Sequence, residues 1–206
     1  MSNPDDQDLY VMEAFDYYYA DYFVEAEEKF RIAIGHKSSN AIAWRGYHMT
    51  LAKLGKIVDA RSAIDRSLEL NSNDHESWFC LATFLDERDL ETSTALEAYH
   101  RGIELEPANG EMWRKLAILY KKAGNISKAE EVMRKVLEYW PDDILHLTVL
   151  EWVLQHQGRT NEAEEIKARI EYLEAESKRR EDELDREISE SVKDIMGFDV
   201  DDYDDS

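Results

Sequence analysis

Cysteine, proline and glycine are scarce in this sequence, and each scarcity excludes a class of protein. The single cysteine, Cys80, cannot form a disulfide within the chain, so nothing indicates an oxidising compartment. Three prolines and eight glycines are too few for an all-β design with many tight turns. The composition therefore disfavours both a disulfide-rich fold and an all-β fold.

Long apolar runs are also missing. No stretch approaches the roughly 18 consecutive apolar residues that a membrane span needs. The first six residues are polar and acidic, which does not fit a signal peptide. We therefore expect a soluble, cytoplasmic protein without membrane insertion.

Positive charge is in short supply as well. The chain has 46 acidic and 25 basic side chains, which gives a net charge of −21. Affinity for nucleic acid comes mostly from cationic side chains that displace counterions, so we expect no nucleic-acid partner. Basic protein partners, or a need for solubility, agree better with this charge.

Catalytic and metal-binding motifs are not apparent either. No glycine-rich loop follows a strand, and the six histidines show no HExxH or i,i+4 pairing. Cys80 stands mid-helix in an apolar run, which is typical of a small core residue rather than a nucleophile. We therefore expect no catalytic residue, no cofactor and no metal, and a protein that is not an enzyme.

Tryptophan and alanine recur in the chain at a nearly fixed interval. Trp44, Trp78 and Trp113 are separated by 34 and 35 residues. An alanine recurs in the same phase, at Ala26, Ala60, Ala95, Ala129 and Ala163. Aligned on these alanines, the chain divides into five units, at 7–40, 41–74, 75–109, 110–143 and 144–177. The third unit is one residue longer, and we place its extra residue in the turn around 91–94.

Each unit is predicted to form two helices. In the fourth unit Trp113, Leu116, Ala117 and Tyr120 follow the three-and-four spacing of one helix face. Gly124-Asn125 then interrupts the pattern, and a second apolar stripe follows, at Ala129, Met133 and Val136. Pro141 ends this second helix. The small alanine allows the second helix to approach the first closely.

These units resemble tetratricopeptide repeats, whose pattern is W-x2-L-G-x2-Y…A-x3-F…P over 34 residues. The resemblance covers residues 7–177, with the fourth unit closest to the pattern and the fifth furthest from it. It implies an all-α fold, a right-handed solenoid of about five helical hairpins. We expect disorder in residues 1–6 and in the acidic tail, residues 197–206.

A C-terminal helical extension is expected at residues 178–196. From Asn161 to Met196 there is no glycine or proline, and a partial apolar stripe is interrupted at Ser177 and Arg180. One interpretation is a capping helix that covers the last repeat and continues into solvent. The other is a dimerising coiled coil, which usually needs three or four unbroken heptads.

The resemblance also implies a binding surface, because the first helix of each tetratricopeptide repeat lines the concave groove of the solenoid. The predicted groove residues are Val11, Phe15, Tyr18, Tyr19, Arg45, Met49, Lys53, Phe79, Arg114, Ile118, Lys121, Lys122 and Trp152, with Asp86 and Glu87 at the rim. Aromatic and methionine side chains suit a surface that holds a peptide. The alternative is that the apolar members are ordinary core and the lysines a solvated face.

The function predicted from these patterns is a non-catalytic adaptor or assembly scaffold that binds a segment of another protein. A chaperone that shields an apolar client segment is the alternative. The basic clamp by which some family members hold acidic C-terminal peptides is not present, since Met49 and Cys80 stand at its asparagine positions. Self-association through the C-terminal helix is a further hypothesis, as is occupation of the groove by the acidic tail.

Overall fold

The computed structural model describes residues 4–35 and 39–196, and this part of the chain forms ten helices and no strand. The helices are α1 (Pro4–Tyr19), α2 (Phe23–Gly35), α3 (Ala41–Lys53), α4 (Ile57–Leu70), α5 (His75–Glu87), α6 (Thr92–Leu105), α7 (Gly110–Lys122), α8 (Ile126–Tyr139), α9 (Ile144–His156) and α10 (Thr160–Met196). The predicted all-helical fold class is confirmed. None of these helices combines the length and apolar composition that crossing a bilayer requires.

The helices group into two compact units, one up to Val132 and one from Met133. In the first unit α1 packs on α2, α3 on α4, and α5 on α6, while α2 contacts α3, α4 contacts α5, and α6 contacts α7. The odd-numbered helices α1, α3, α5 and α7 are also successive neighbours. In the second unit α9 packs on α10. Stacked helix pairs of this kind characterise helical repeat proteins.

The turn inside each helix pair has a residue in the left-handed conformation at the same position. Gly55, Gly124 and Gly158 have φ of 73°, 76° and 74°, and Asp21 and Asp89 have φ of 62° and 51° at the equivalent positions. These five residues follow one another at 34 or 35 residues. Glycine fits because it has no Cβ to clash in this conformation. The extra residue of the third unit lies next to this position, where Glu91 has φ of 40°.

The recurring tryptophans and alanines have local structural roles. The indole N–H of Trp78 donates to the carbonyl of Ser72 at 2.8 Å, and that of Trp113 donates to the carbonyl of Pro107 at 3.0 Å. Each of these two hydrogen bonds connects the helix to the loop that precedes it. The alanines are buried at helix contacts: Ala26, Ala60, Ala95, Ala129 and Ala163 are all at most 2% exposed.

Phe30 belongs to a cluster of buried side chains in the first unit. Its side chain is 0% exposed and meets the ring of Phe15 edge-on, with 5.1 Å between ring centres. Gly46 of α3 faces the same two rings, and a Cβ at this position would lie 2.9 Å from Phe15 Cζ and still closer to Phe30. The missing side chain therefore lets α3 approach α1 and α2 closely.

Both ends of the described chain are helical. α1 begins at Pro4, so residues 4–6, which were expected to be disordered, are helical. Proline is tolerated in the first turn of a helix because the backbone N–H groups of that turn have no acceptor within the helix. The expected extension, residues 178–196, is helical and continues α10, which runs unbroken for 37 residues. Its Leu184 and Ile188 are 56% and 52% exposed. The acidic tail, residues 197–206, lies outside the described residues.

Candidate functional site

A groove of about 1010 Å³ crosses the first unit along α1, α3 and α5, and we call it the α1–α5 groove. It is lined mainly by residues on the first helix of successive pairs, as the family resemblance implies. Seven of the predicted residues come together in it: Phe15, Tyr18, Tyr19, Arg45, Met49, Lys53 and Phe79. The rim residue Glu87 also lines it.

Aromatic rings form one side of the α1–α5 groove. Tyr18 and Tyr19 have ring centres 5.6 Å apart and lie at 80° to each other, so they present two nearly perpendicular faces. Tyr19 stacks on Phe15 at 6.0 Å. Burial raises the pKa of Tyr18 most, and the nearby Asp21 and Glu87 raise it further, so its hydroxyl stays protonated. A surface of this kind can hold apolar and planar groups.

Arg45 contributes less positive charge to the α1–α5 groove than the sequence suggests. Its guanidinium forms an ion pair with Glu76, and its Nε lies 3.6 Å from a carboxylate oxygen of Asp74. Only 13% of the Arg45 side chain is exposed. The positive charge expected at this position is therefore balanced by two carboxylates of the same unit.

The other predicted residues lie elsewhere. Val11 is buried with Phe30 in the core. Arg114 pairs with Glu111 at 2.5 Å, and Lys122 pairs with Asp86 at 2.7 Å beside a smaller cavity of about 120 Å³. Ile118 and Lys121 are partly buried outside the α1–α5 groove, and Trp152 stacks on His156 in the second unit.

Several lining residues were not predicted. Met12 and Asp16 stand one helical turn from Phe15 and Tyr19, so extending the helix spacing along α1 would have found them. Ile42 and Glu76 occupy equivalent positions near the starts of α3 and α5. The place of Arg88 in the lining follows from a side-chain direction that the repeat pattern does not contain.

The one cysteine, Cys80, lines the α1–α5 groove from a partly buried position. Burial raises the pKa of its thiol to about 11, although the Arg45 charge acts in the opposite direction. The thiol is therefore protonated at neutral pH, and the protonated form is a poor nucleophile. Within the described ranges no three histidine, cysteine or acidic side chains cluster as metal ligands.

His48 at the floor of the α1–α5 groove should make stability depend on pH. Its Nδ1 lies 2.8 Å from the carbonyl of Ala60, to which it donates in the neutral form. Burial lowers its pKa below the usual 6.5, and the Arg88 charge lowers it further. Above about pH 6.5 His48 is neutral in both states. Below it, the unfolded chain takes up a proton that the folded chain resists, so stability falls until the lower folded pKa is reached.

We therefore expect the free energy of unfolding to fall more between pH 7.5 and pH 5 in the wild type than in His48→Gln. Glutamine can donate to the same carbonyl but does not titrate, so the carboxylates common to both proteins cancel in the comparison. Urea denaturation at several pH values measures both slopes. Equal losses in the two proteins would contradict the assignment.

Comparison with known proteins agrees with this architecture. Residues 91–153 match the family model described as tetratricopeptide repeat. The human protein O-mannosyl-transferase TMTC3 is 25% identical over 115 residues, which is 56% of this chain but only 13% of that protein. The chain thus corresponds to a small part of this curated relative.

Solved structures share the fold at low sequence identity. MamA from Desulfovibrio magneticus RS-1 has a TM-score of 0.74 at 19% identity, covering 85% of this chain and 98% of its own. YrrB, described as a TPR protein with an unusual peptide-binding site, has a TM-score of 0.66 at 16% identity, covering 80% of this chain and 84% of its own. The repeat pattern, the match over residues 91–153 and the shared fold agree, and all three make the chain similar to tetratricopeptide-repeat proteins.

Proposed function

We propose that this protein is a non-catalytic adaptor or scaffold that holds one segment of another protein in the α1–α5 groove. The observation that carries the proposal is the groove itself, in which aromatic and methionine side chains from three successive repeats line one continuous cavity. Proteins with such repeats mediate protein–protein interaction. The peptide-binding site named for YrrB supports the same use of the fold.

The exposure of the lining residues supports binding of a segment rather than burial in the core. Tyr19 and Met12 line the α1–α5 groove and are 74% and 66% exposed. Large apolar side chains that remain exposed in a concave surface are typical of interaction sites. Tyrosine and methionine suit such a site because tyrosine loses little conformational entropy and methionine adapts its shape.

A displayed library of random 12-residue peptides, selected on the immobilised protein, tests the proposal. We expect peptides that bind the wild type and lose affinity about tenfold or more when Tyr19→Ala and Met12→Ala are combined. Both side chains are largely exposed, so the fold should survive the change. Fluorescence anisotropy with one selected peptide measures the affinities.

The matched control replaces two exposed side chains of the same repeat that do not line the α1–α5 groove. Tyr22 and Val24 are 59% and 67% exposed, and the variant with Tyr22→Ala and Val24→Ala should bind as the wild type does. The proposal fails if the library yields no binder, or if binding is lost in the control variant but kept in the groove variant.

A further inference from the structure

We infer, building on the proposed function, that the segment held in the α1–α5 groove is apolar and presents one lysine or arginine to an aromatic–acidic corner. This corner consists of Tyr18, Tyr19, Asp16 and Glu87, all of which line the groove. Of the basic residues predicted for the groove, Arg45, Arg114 and Lys122 are paired within the chain, and a basic ligand agrees with the net charge of −21.

The balance of charge in the α1–α5 groove supports a basic ligand. Three lysine or arginine and three aspartate or glutamate side chains line it: Arg45, Lys53, Arg88, Asp16, Glu76 and Glu87. Arg45 and Glu76 form an ion pair with each other. Arg88 donates to the carbonyl of Ala52 at 3.0 Å and lies 4.5 Å from the centre of the Phe84 ring.

The carboxylates of Asp16 and Glu87 and the ammonium group of Lys53 remain available to a ligand. Within the described part of the chain, neither Asp16 nor Lys53 forms an ion pair, and both are exposed. Glu87 is 62% exposed and has only a distant partner, Arg88 at 3.9 Å. The available charge is therefore negative, in the same sense as the net charge of −21 for the whole chain. A field of this sign attracts basic segments and repels acidic ones.

The geometry of the two tyrosines suits a cation as well. Their rings stand at 80° with centres 5.6 Å apart, which is direct edge-to-face contact, so a ligand side chain can lie against the pair and meet a ring face and a ring edge. A lysine or arginine placed over a ring face gains cation–π attraction, and the gain grows when the site excludes water. Glu87 lines the same groove as Tyr18, so a carboxylate is available on the same surface as the two rings.

The apolar part of the ligand follows from the rest of the lining. Phe15, Met49 and Phe79 belong to successive first helices and extend the surface away from the corner. An acidic segment such as residues 197–206 would have Lys53 as its main partner and would face Asp16 and Glu87. Removing that tail should therefore leave the affinity for a selected peptide unchanged.

The random-peptide selection described above tests this inference when the selected peptides are also measured against the variant Glu87→Lys. We expect wild-type peptides to be enriched in lysine and arginine over the unselected library. Replacing the basic residue of one selected peptide by glutamine should weaken its binding about tenfold, and Glu87→Lys should weaken the parent peptide equally. The two changes together should cost little more than either alone, since both remove the same contact.

Glu97→Lys is the matched control, because Glu97 is exposed on α6 outside the α1–α5 groove and the change in net charge is identical. Peptides that bind through Tyr19 and Met12 without basic enrichment would overturn this inference and leave the proposed function intact. Equal weakening by Glu97→Lys would also overturn it, since the effect would then be one of total charge. A library without any binder would overturn the proposed function itself.

Discussion

Phe30→Ala is expected to lower the free energy of unfolding by about 3–5 kcal/mol, the usual cost of truncating a buried phenylalanine. Its ring is fully buried between Phe15 and the backbone of α3 at Gly46, so the truncation leaves a cavity that the helices cannot close without moving. Urea denaturation followed by circular dichroism measures the change. Tyr22→Ala, at a side chain 59% exposed, should change stability by no more than about 0.5 kcal/mol.

Gly46→Ala tests the same contact by adding a methyl group to α3 instead of removing the Phe30 ring. Its methyl group would overlap the Phe30 ring, and overpacking of this kind typically costs about 1–3 kcal/mol. Gly102→Ala is the matched control: its methyl would meet Met112 Sδ at 2.8 Å, and although Met112 is fully buried, an unbranched side chain adapts its shape more readily than a ring, so we expect a smaller loss. Combining Gly46→Ala with Phe30→Ala should cost less than the sum, since the added methyl enters the space that the ring leaves. Additive costs would contradict the packing described here.

The position of Gly46 shows what a repeat pattern can and cannot predict. The repeat interval and the helical spacing within a unit were sufficient to predict helix pairs. The structure adds a reason for the recurring tryptophan, a hydrogen bond from the indole to the preceding loop at Trp78 and Trp113. The close approach of α3 to Phe30 depends on one glycine within one repeat. A contact of this kind is not periodic, so comparing the repeats with one another does not reveal it.

The charges of the candidate site were less predictable than its position. The family resemblance brought together seven residues of the α1–α5 groove because the helix face that lines it is set by the repeat. It also suggested that Arg45, Arg114 and Lys122 would be available to a ligand. Each is paired within the chain, Arg45 with a residue of the next helix pair. Side-chain pairing across repeats depends on rotamers and on local acidic neighbours, which spacing alone does not determine.

Val11 illustrates a different limit. It occupies a groove position by alignment, yet the structure buries it with Ala14 and Phe30. Its side chain belongs to the core of the first helix pair, which alignment of the repeats does not indicate. The α1–α5 groove therefore includes Met12 in the first repeat, and Val11 contributes to stability instead.

Tyr99→Phe is expected to raise the free energy of unfolding by about 1–3 kcal/mol, which is the usual cost of a buried polar group without a partner. Tyr99 is 0% exposed, and its hydroxyl oxygen has no hydrogen-bond partner among the described residues. Burial raises the pKa of this hydroxyl most, and the nearby carboxylates of Asp86 and Glu87 raise it further. Phenylalanine keeps the ring, including its contact with Phe79 at 6.3 Å, and removes only the unsatisfied group.

Tyr120→Phe removes the same hydroxyl from a tyrosine that has a partner, because the Tyr120 hydroxyl lies 2.7 Å from Nε2 of His100. This change should lower the free energy of unfolding by about 1 kcal/mol. The two substitutions delete the same atom from buried rings of neighbouring helices, so opposite signs reflect the hydrogen bond of Tyr120 and the deeper burial of the Tyr99 hydroxyl. Urea denaturation of both variants gives the signs directly. A loss of stability in Tyr99→Phe would show that its hydroxyl is bonded in solution and would remove the reason to expect phenylalanine to be favoured there.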